Sequence, residues 1–306
     1  MKPNYVLNAW RNKKQTLGAW VGVNSINVAE SMAHSGFDWL VIDCQHGLIE
    51  MNALPALIAA INTTNTVPFV RVKSNNFGDI NKALDSGALG VIVPMINNAE
   101  EARAAVDAMR YPSSKGYGKR STGPTRPMMA YGNDYLYEAN ENVACILQIE
   151  TKDGLANVEE IAAVPGVDCL YVGPTDLAFG LGLFPGGEWE GKRNGSWFLK
   201  IFQQDSHKKA LKTILDCCHR HNIAGIMHTL GINETSKMYI KDGWDGIMSG
   251  SAKGWMSRGA GGALRELRPM VKSIIPRKIT ADDDVLHQLA AGKITVEDAK
   301  SLMSNL

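Results

Sequence analysis

Five side chains with chemistry to offer stand at the ends of short apolar runs. They are Asp43 and His46 in "DWLVIDCQHG", Arg71 in "VPFVRVK", Glu150 in "ACILQIE" and Asp176 in "DCLYVGPTD". A short apolar run bounded by turn signals reads as a buried strand. A parallel barrel gathers the C-terminal ends of its strands at one mouth, so residues distant in sequence face one pocket. Two carboxylates, a histidine and an arginine in such a pocket make a metal-assisted site. Hard divalent cations take carboxylate oxygens and leave positions for a substrate's own oxygens. Histidine is the usual proton-transfer group near neutral pH. A guanidinium binds a carboxylate or a developing enolate oxygen.

Each residue also has a plainer reading. Asp176 caps a turn, and Glu150 is a surface acid; both ending core strands of one barrel favours chemistry. His46 follows Asp43 by three residues, so Asp43 is placed to orient its ring, or His46 is a turn residue bonded to backbone. Arg71, buried at a mouth, needs an anion, which Asp43 or Glu150 would also supply. Gln148 shares the face of Glu150 by strand alternation and either donates to a substrate oxygen or fills the interior. "CCHRH" (217–221) has metal-type residues but no second ligand cluster, and ordinary helix positions explain it. "GLGLFPGG" and "GYGKRSTG" match no nucleotide-binding loop, and Lys73, beyond the third strand, is not required as a Schiff-base nucleophile.

The elements that must hold these residues alternate along the chain. Strands are predicted at 17–23, 38–43, 67–72, 90–96, 144–149, 168–173, 224–229 and 245–250. Helices follow from Ser25, a candidate N-cap, to Gly36, then at about 50–64, 76–86, 98–110, 153–163, 203–221 and 252–273. The strands are continuous apolar runs, as expected where both faces are buried. Eight strands alternating with helices are the arithmetic of a (β/α)8 TIM barrel. A doubly wound sheet is the competitor, and no G-x-G-x-x-G follows the first strand. Two connections, 111–142 and 177–200, read as loops too long to be passive. The second suits a lid or wall of the site, and the first suits that role or a contact with a neighbouring subunit. Residues 1–275 form the barrel domain, and 276–306 read as a C-terminal helical extension, a hairpin that needs another surface to cover its apolar faces.

Composition bounds the rest. The chain has 306 residues, 45% hydrophobic and 21% charged, with a formal net charge of +1. That is an ordinary globular composition with no field to recruit nucleic acid or an acidic membrane. The five cysteines, Cys44, Cys145, Cys169, Cys217 and Cys218, fit no disulfide framework, which with the absence of a signal-like start points to the cytoplasm. The longest apolar runs are too short to cross a bilayer.

Taken together, "GFDWLVIDCQHG", "PFVRVK", "ALDSGALGVIVPMI", "LQIET" and "GPTDLAFGLG" resemble the HpcH/HpaI aldolase family, the 4-hydroxy-2-oxoheptanedioate and 2-dehydro-3-deoxyglucarate aldolases. The resemblance runs in order from about residue 17 to 270. It implies a class II aldolase dependent on Mg²⁺, Mn²⁺ or Co²⁺ that cleaves or forms a 4-hydroxy-2-oxo acid, giving pyruvate plus an aldehyde through a pyruvate enolate held by the metal. It implies Glu150 and Asp176 as metal ligands, His46 as the acid/base, Arg71 as the enolate stabiliser and Gln148 as a substrate contact. It further implies that the backbone N–H of Thr175 meets the pyruvyl carboxylate, and that Asp85 raises the basicity of the histidine. Asp85 falls at the far end of its helix, so it acts across a subunit interface, or Asp43 is the real partner. The resemblance also implies a homo-oligomer, a hexamer or trimer of dimers. Gln45 stands where many members carry Glu. The family also holds macrophomate synthase, so a decarboxylase of oxaloacetate or another 2-oxo acid, or a related carbon–carbon lyase, is the alternative through the same enolate.

Overall fold

The computed structural model describes residues 1, 3–114, 116–183, 201–229, 231 and 233–271. Eight parallel strands close into a barrel in sequence order: β1 (Thr16–Val21), β2 (Trp39–Asp43), β3 (Val67–Arg71), β4 (Gly90–Val93), β5 (Ala144–Ile149), β6 (Cys169–Val172), β7 (Ala224–His228) and β8 (Gly246–Ser251). β1 pairs with β8 through Thr16↔Gly246 and with β2 through Gly18↔Trp39, so no edge remains. This is a TIM barrel with a C-terminal helix. No helix of the described residues is long and apolar enough to cross a membrane.

Helices link the strands. In chain order they are α1 (Tyr5–Arg11), α2 (Ile26–His34), α3 (Leu54–Ile61), α4 (Phe77–Asp85), α5 (Ala99–Met109), α6 (Thr125–Tyr131), α7 (Tyr135–Asn142), α8 (Lys152–Ala156), α9 (Val158–Ala162), α10 (Pro174–Gly180), α11 (Asp205–Arg220), α12 (Asn233–Lys241) and α13 (Ala252–Leu267). Side-chain caps start several of them. Ser25 accepts from the N–H of Val28, Asn76 from Asp79, Asn98 from Glu101 and Thr151 from Gly154. Each satisfies one of the amides that an α-helix leaves open at its start.

The barrel interior interlocks by pairing large residues with glycine. A Cβ on Gly18 would lie 2.1 Å from Trp39, one on Gly90 2.6 Å from Phe69, and one on Gly246 2.8 Å from Ile226. The missing side chains are the space those residues fill. The floor is closed by α1, which the sequence pattern did not predict. Asn4 caps it and donates from its amide to the carbonyls of Leu89 and Asn142. Trp10 and Trp39 both donate to Thr16 Oγ1, at 2.9 and 3.1 Å.

The connection at 111–142 is not an open loop. It folds into α6 and α7 around Arg120, which is buried between the rings of Tyr111 and Tyr135 and bonded to the Tyr135 hydroxyl. α12, between β7 and β8, is another helix that the sequence reading missed. Where one helix was predicted over 153–163, two short ones, α8 and α9, meet at Asn157. Of 177–200, residues through 180 belong to α10, and 184–200 lie outside the described residues. The chain divides into two compact units, Met1–Ser257, which carries the barrel, and Arg258–Leu306. The boundary read at 275 and the tail 276–306 lie outside the described residues.

Candidate active site

The barrel register brings four of the five opening residues to the C-terminal ends of their strands, and Asp176 to the helix after β6. Asp43 and Arg71 end β2 and β3 as register partners. Arg71 Nε donates to Asp43 Oδ1 at 2.9 Å and Nη2 donates to Oδ2 at 2.7 Å, a fork-to-fork pair with both side chains about 90% buried. Asp43 Oδ1 also accepts from the backbone N–H of Gln45 and of His46. Asp43 therefore reaches His46 through its main chain. The His46 ring is exposed and carries no hydrogen bond among the described residues.

Glu150 follows β5 and is only 3% exposed. Its Oε1 accepts from the N–H of Met95 at 2.9 Å, and its Oε2 accepts from Gln148 Nε2 at 2.6 Å. Met95 delivers that N–H from a left-handed backbone, with φ of 59°, an uncommon state for a residue with a side chain. Strain of this kind collects at functional sites. Burial pushes the Glu150 carboxyl up to about 7, and the nearby Asp176 carboxylate adds to this. The Met95 N–H, Arg71 and Gln148 oppose it.

Asp176 lies exposed in the first turn of α10, two residues after Pro174. Thr175 stands between them. At these positions backbone amides have no acceptor within a helix. Gly173, just before α10, makes room for the site. A Cβ there would lie 2.6 Å from Glu150 Oε2 and 2.9 Å from Gln148 Nε2.

Asp85 lies elsewhere. It ends α4, and its Oδ1 accepts from Arg120 Nη2 at 2.9 Å. Within one chain its carboxylate thus belongs to the packing of the 111–142 segment. Cys217 and His221 of "CCHRH" approach Glu159, with ligand-type atoms within 4.8 Å of one another. The Glu159 carboxylate there is held by Arg220 and His221. All five cysteines are free and buried.

The sequence reading missed several residues of the site: Met95, Gly173, and the inward-facing Trp20, Tyr171 and His228 beneath Arg71. The one available signal was strand alternation, which sets Trp20, Tyr171 and His228 on inward positions of β1, β6 and β7.

The donor set suits a divalent cation. Glu150 is a carboxylate that burial makes hard to ionise, a second carboxylate is close enough to raise it further, and Gly173 keeps the space beside Oε2 clear. Gln148 Oε1 is buried without a hydrogen bond among the described residues. Oxygen ligands of this kind suit Mg²⁺ or Mn²⁺, with water and substrate completing the shell.

A TIM barrel with carboxylates, an anchored arginine and a histidine at its strand ends defines a class: barrel enzymes acting on small oxygen-rich anions. Residues 16–252 match the family described as HpcH/HpaI aldolase/citrate lyase, and the chain belongs to that family of carbon–carbon lyases. A 2-dehydro-3,6-dideoxy-6-sulfogluconate aldolase of Pseudomonas putida is 44% identical over 170 residues, which are 55% of this chain and 66% of the relative. A hydroxypyruvate/pyruvate aldolase of Paraburkholderia phytofirmans is 33% identical over 256 residues, 82% of this chain and 92% of the relative. The crystal structure of a family protein from Burkholderia cenocepacia superimposes with a TM-score of 0.76 at 30% identity, covering 87% of this chain and 99% of that one.

Proposed function

We propose that the protein is a divalent-metal-dependent aldolase that cleaves or forms 4-hydroxy-2-oxo acids, with pyruvate as one product. The observation that carries this reading is the buried Glu150, raised to about 7 beside Asp176, opposite an Arg71 fixed by Asp43. Glu150 and Asp176 would hold the cation, which when bound acts as a Lewis acid on the 2-oxo acid.

The chain's own groups do the rest. The amides of Thr175 and Asp176 bind the carboxylate of the 2-oxo acid. Arg71 keeps one edge on Asp43 and turns its Nη1 to the 2-oxo oxygen, where negative charge grows as the C3–C4 bond breaks. Gln148 Nε2 holds Glu150 with one N–H and donates the other to a substrate oxygen. His46, exposed at the mouth, takes the proton of the 4-hydroxyl as the aldehyde leaves, and a proton returns to C3 to release pyruvate. Asp85 is held by Arg120 within its own chain, so it acts on His46 only where a second copy presents it, and its role belongs to a homo-oligomer.

The test is turnover. With Mg²⁺ or Mn²⁺, pyruvate plus short aldehydes should give 4-hydroxy-2-oxo acids, and EDTA should abolish the activity until metal is restored. Activity untouched by EDTA refutes the metal role. Release of CO₂ from oxaloacetate without any aldol product would favour the decarboxylase instead.

A further inference from the structure

Beneath Arg71 the barrel interior is aromatic. Trp20 from β1, Tyr171 from β6 and His228 from β7 meet one another there. Ring centroids are 6.0 Å apart for Trp20 and Tyr171, 5.9 Å for Trp20 and His228, and 6.3 Å for Tyr171 and His228. The Arg71 guanidinium carbon lies 4.3 Å over the Trp20 ring. The guanidinium is therefore held on one face by indole and on one edge by Asp43, while Nη1 carries no hydrogen bond among the described residues. The Trp20 Nε1 and Tyr171 hydroxyl are both buried and interact with each other, which ties the two rings together.

The cluster holds one cation, Arg71. Burial pushes His228 down to about 4, and the Arg71 cation lowers it further against the pull of Asp43, so the imidazole stays neutral at physiological pH. Burial also holds the Tyr171 phenol protonated. The charged groups facing this floor are thus Arg71, Asp43 and Glu150.

We propose that Trp20, backed by Tyr171 and His228, is a positioning residue for the reaction: it fixes the plane of the Arg71 guanidinium so that its open edge meets the substrate's 2-oxo oxygen. This rests on the aldolase reading. A cation stacked on indole away from water holds its orientation more firmly than one stacked on an aliphatic chain. Other things being equal, a guanidinium free to tilt on its bond to Asp43 loses alignment without losing charge, and misplacement of this size is costly in catalysis.

The signature is coupling between Trp20 and Arg71, read by binding as well as by rate. Oxalate, a planar dianion shaped like the pyruvate enolate, is titrated calorimetrically into the Mg²⁺-loaded oligomer of the full chain. Trp20→Leu is expected to weaken oxalate binding about 10- to 30-fold and to lower kcat/KM by a similar factor, while Trp20→Phe, which keeps an aromatic face, stays within about threefold of wild type. In an Arg71→Ala background, Trp20→Leu should have no further effect. Oxalate binding unchanged in Trp20→Leu, or a loss equally large without Arg71, overturns the proposal. Should Trp20→Leu fail to fold, the same cycle with Trp20→Met, which also removes the aromatic face, decides: coupling of about threefold or more supports it, and none refutes it. A wild-type protein that binds oxalate with this coupling yet turns over no aldol substrate removes the aldolase reading and leaves the positioning role. Turnover without the coupling does the reverse.

Discussion

Replacing Glu150 by glutamine separates what this carboxylate does for chemistry from what it costs the fold. Burial, reinforced by Asp176, raises its pKa from the ordinary 4.5 to about 7. A group whose folded pKa lies above its unfolded value binds more protons in the native state. The metal-free protein therefore loses stability as pH rises from about 4.5 to about 7, and the full penalty stands above that. A rise of this size corresponds to about 3 kcal/mol. Glutamine keeps an acceptor for the Met95 N–H, and Gln148 can turn its amide so that its unbonded Oε1 accepts from the new side chain. With some loss for the rearranged contact, Glu150→Gln should stabilise the metal-free protein by about 2 kcal/mol at pH 8, and the gain should vanish near pH 5. Urea unfolding in EDTA at both pH values measures it. Adding Mg²⁺ should then raise the stability of wild type, as any ligand of the native state does, and leave the variant unmoved. The reasoning fails if the variant is no more stable than wild type at pH 8, or if its advantage is the same at pH 5.

Gly173→Ala should fold, because the one added methyl meets the ends of two side chains. Its Cβ must still push Glu150 Oε2 or Gln148 Nε2 aside, so Mg²⁺ affinity measured by calorimetry should drop at least about tenfold. Asp43→Ala should leave the Arg71 guanidinium buried without its partner and cost about 3–5 kcal/mol in chemical denaturation, with activity lost even where the protein remains folded.

Much of the barrel was legible in the chain. Strands buried on both faces need continuous apolar runs, and "DWLVID", "VPFVR" and "ACILQI" supply them, so β2, β3 and β5 fall within a residue of their expected bounds. Ser25 marks a helix start because capping is a local contact three residues long. α1 was not legible. It is seven residues long and stands by bonds from Asn4 to the distant carbonyls of Leu89 and Asn142. α6 and α7 read as loop because their organising contact, Arg120 between two tyrosines, lies beyond the three- to four-residue spacing that marks a helix in sequence.

The same division runs through the site. The sequence by itself determined which ionisable residues end which strands, since a charge closing an apolar run is visible wherever it occurs. Only the tertiary structure decided how they are used. Arg71 had two candidate partners among the acids, and the register of β2 with β3 gave it Asp43. Glu150 became a carboxyl of about 7 through burial by neighbouring strands, an N–H from Met95 and space left by Gly173. Nothing in the sequence singled out Trp20, Tyr171 and His228, and closure of the barrel set them under Arg71. The physical reason is common to all three cases. Residue type is a property of position along the chain, whereas desolvation, pairing and orientation depend on what comes to lie alongside in space.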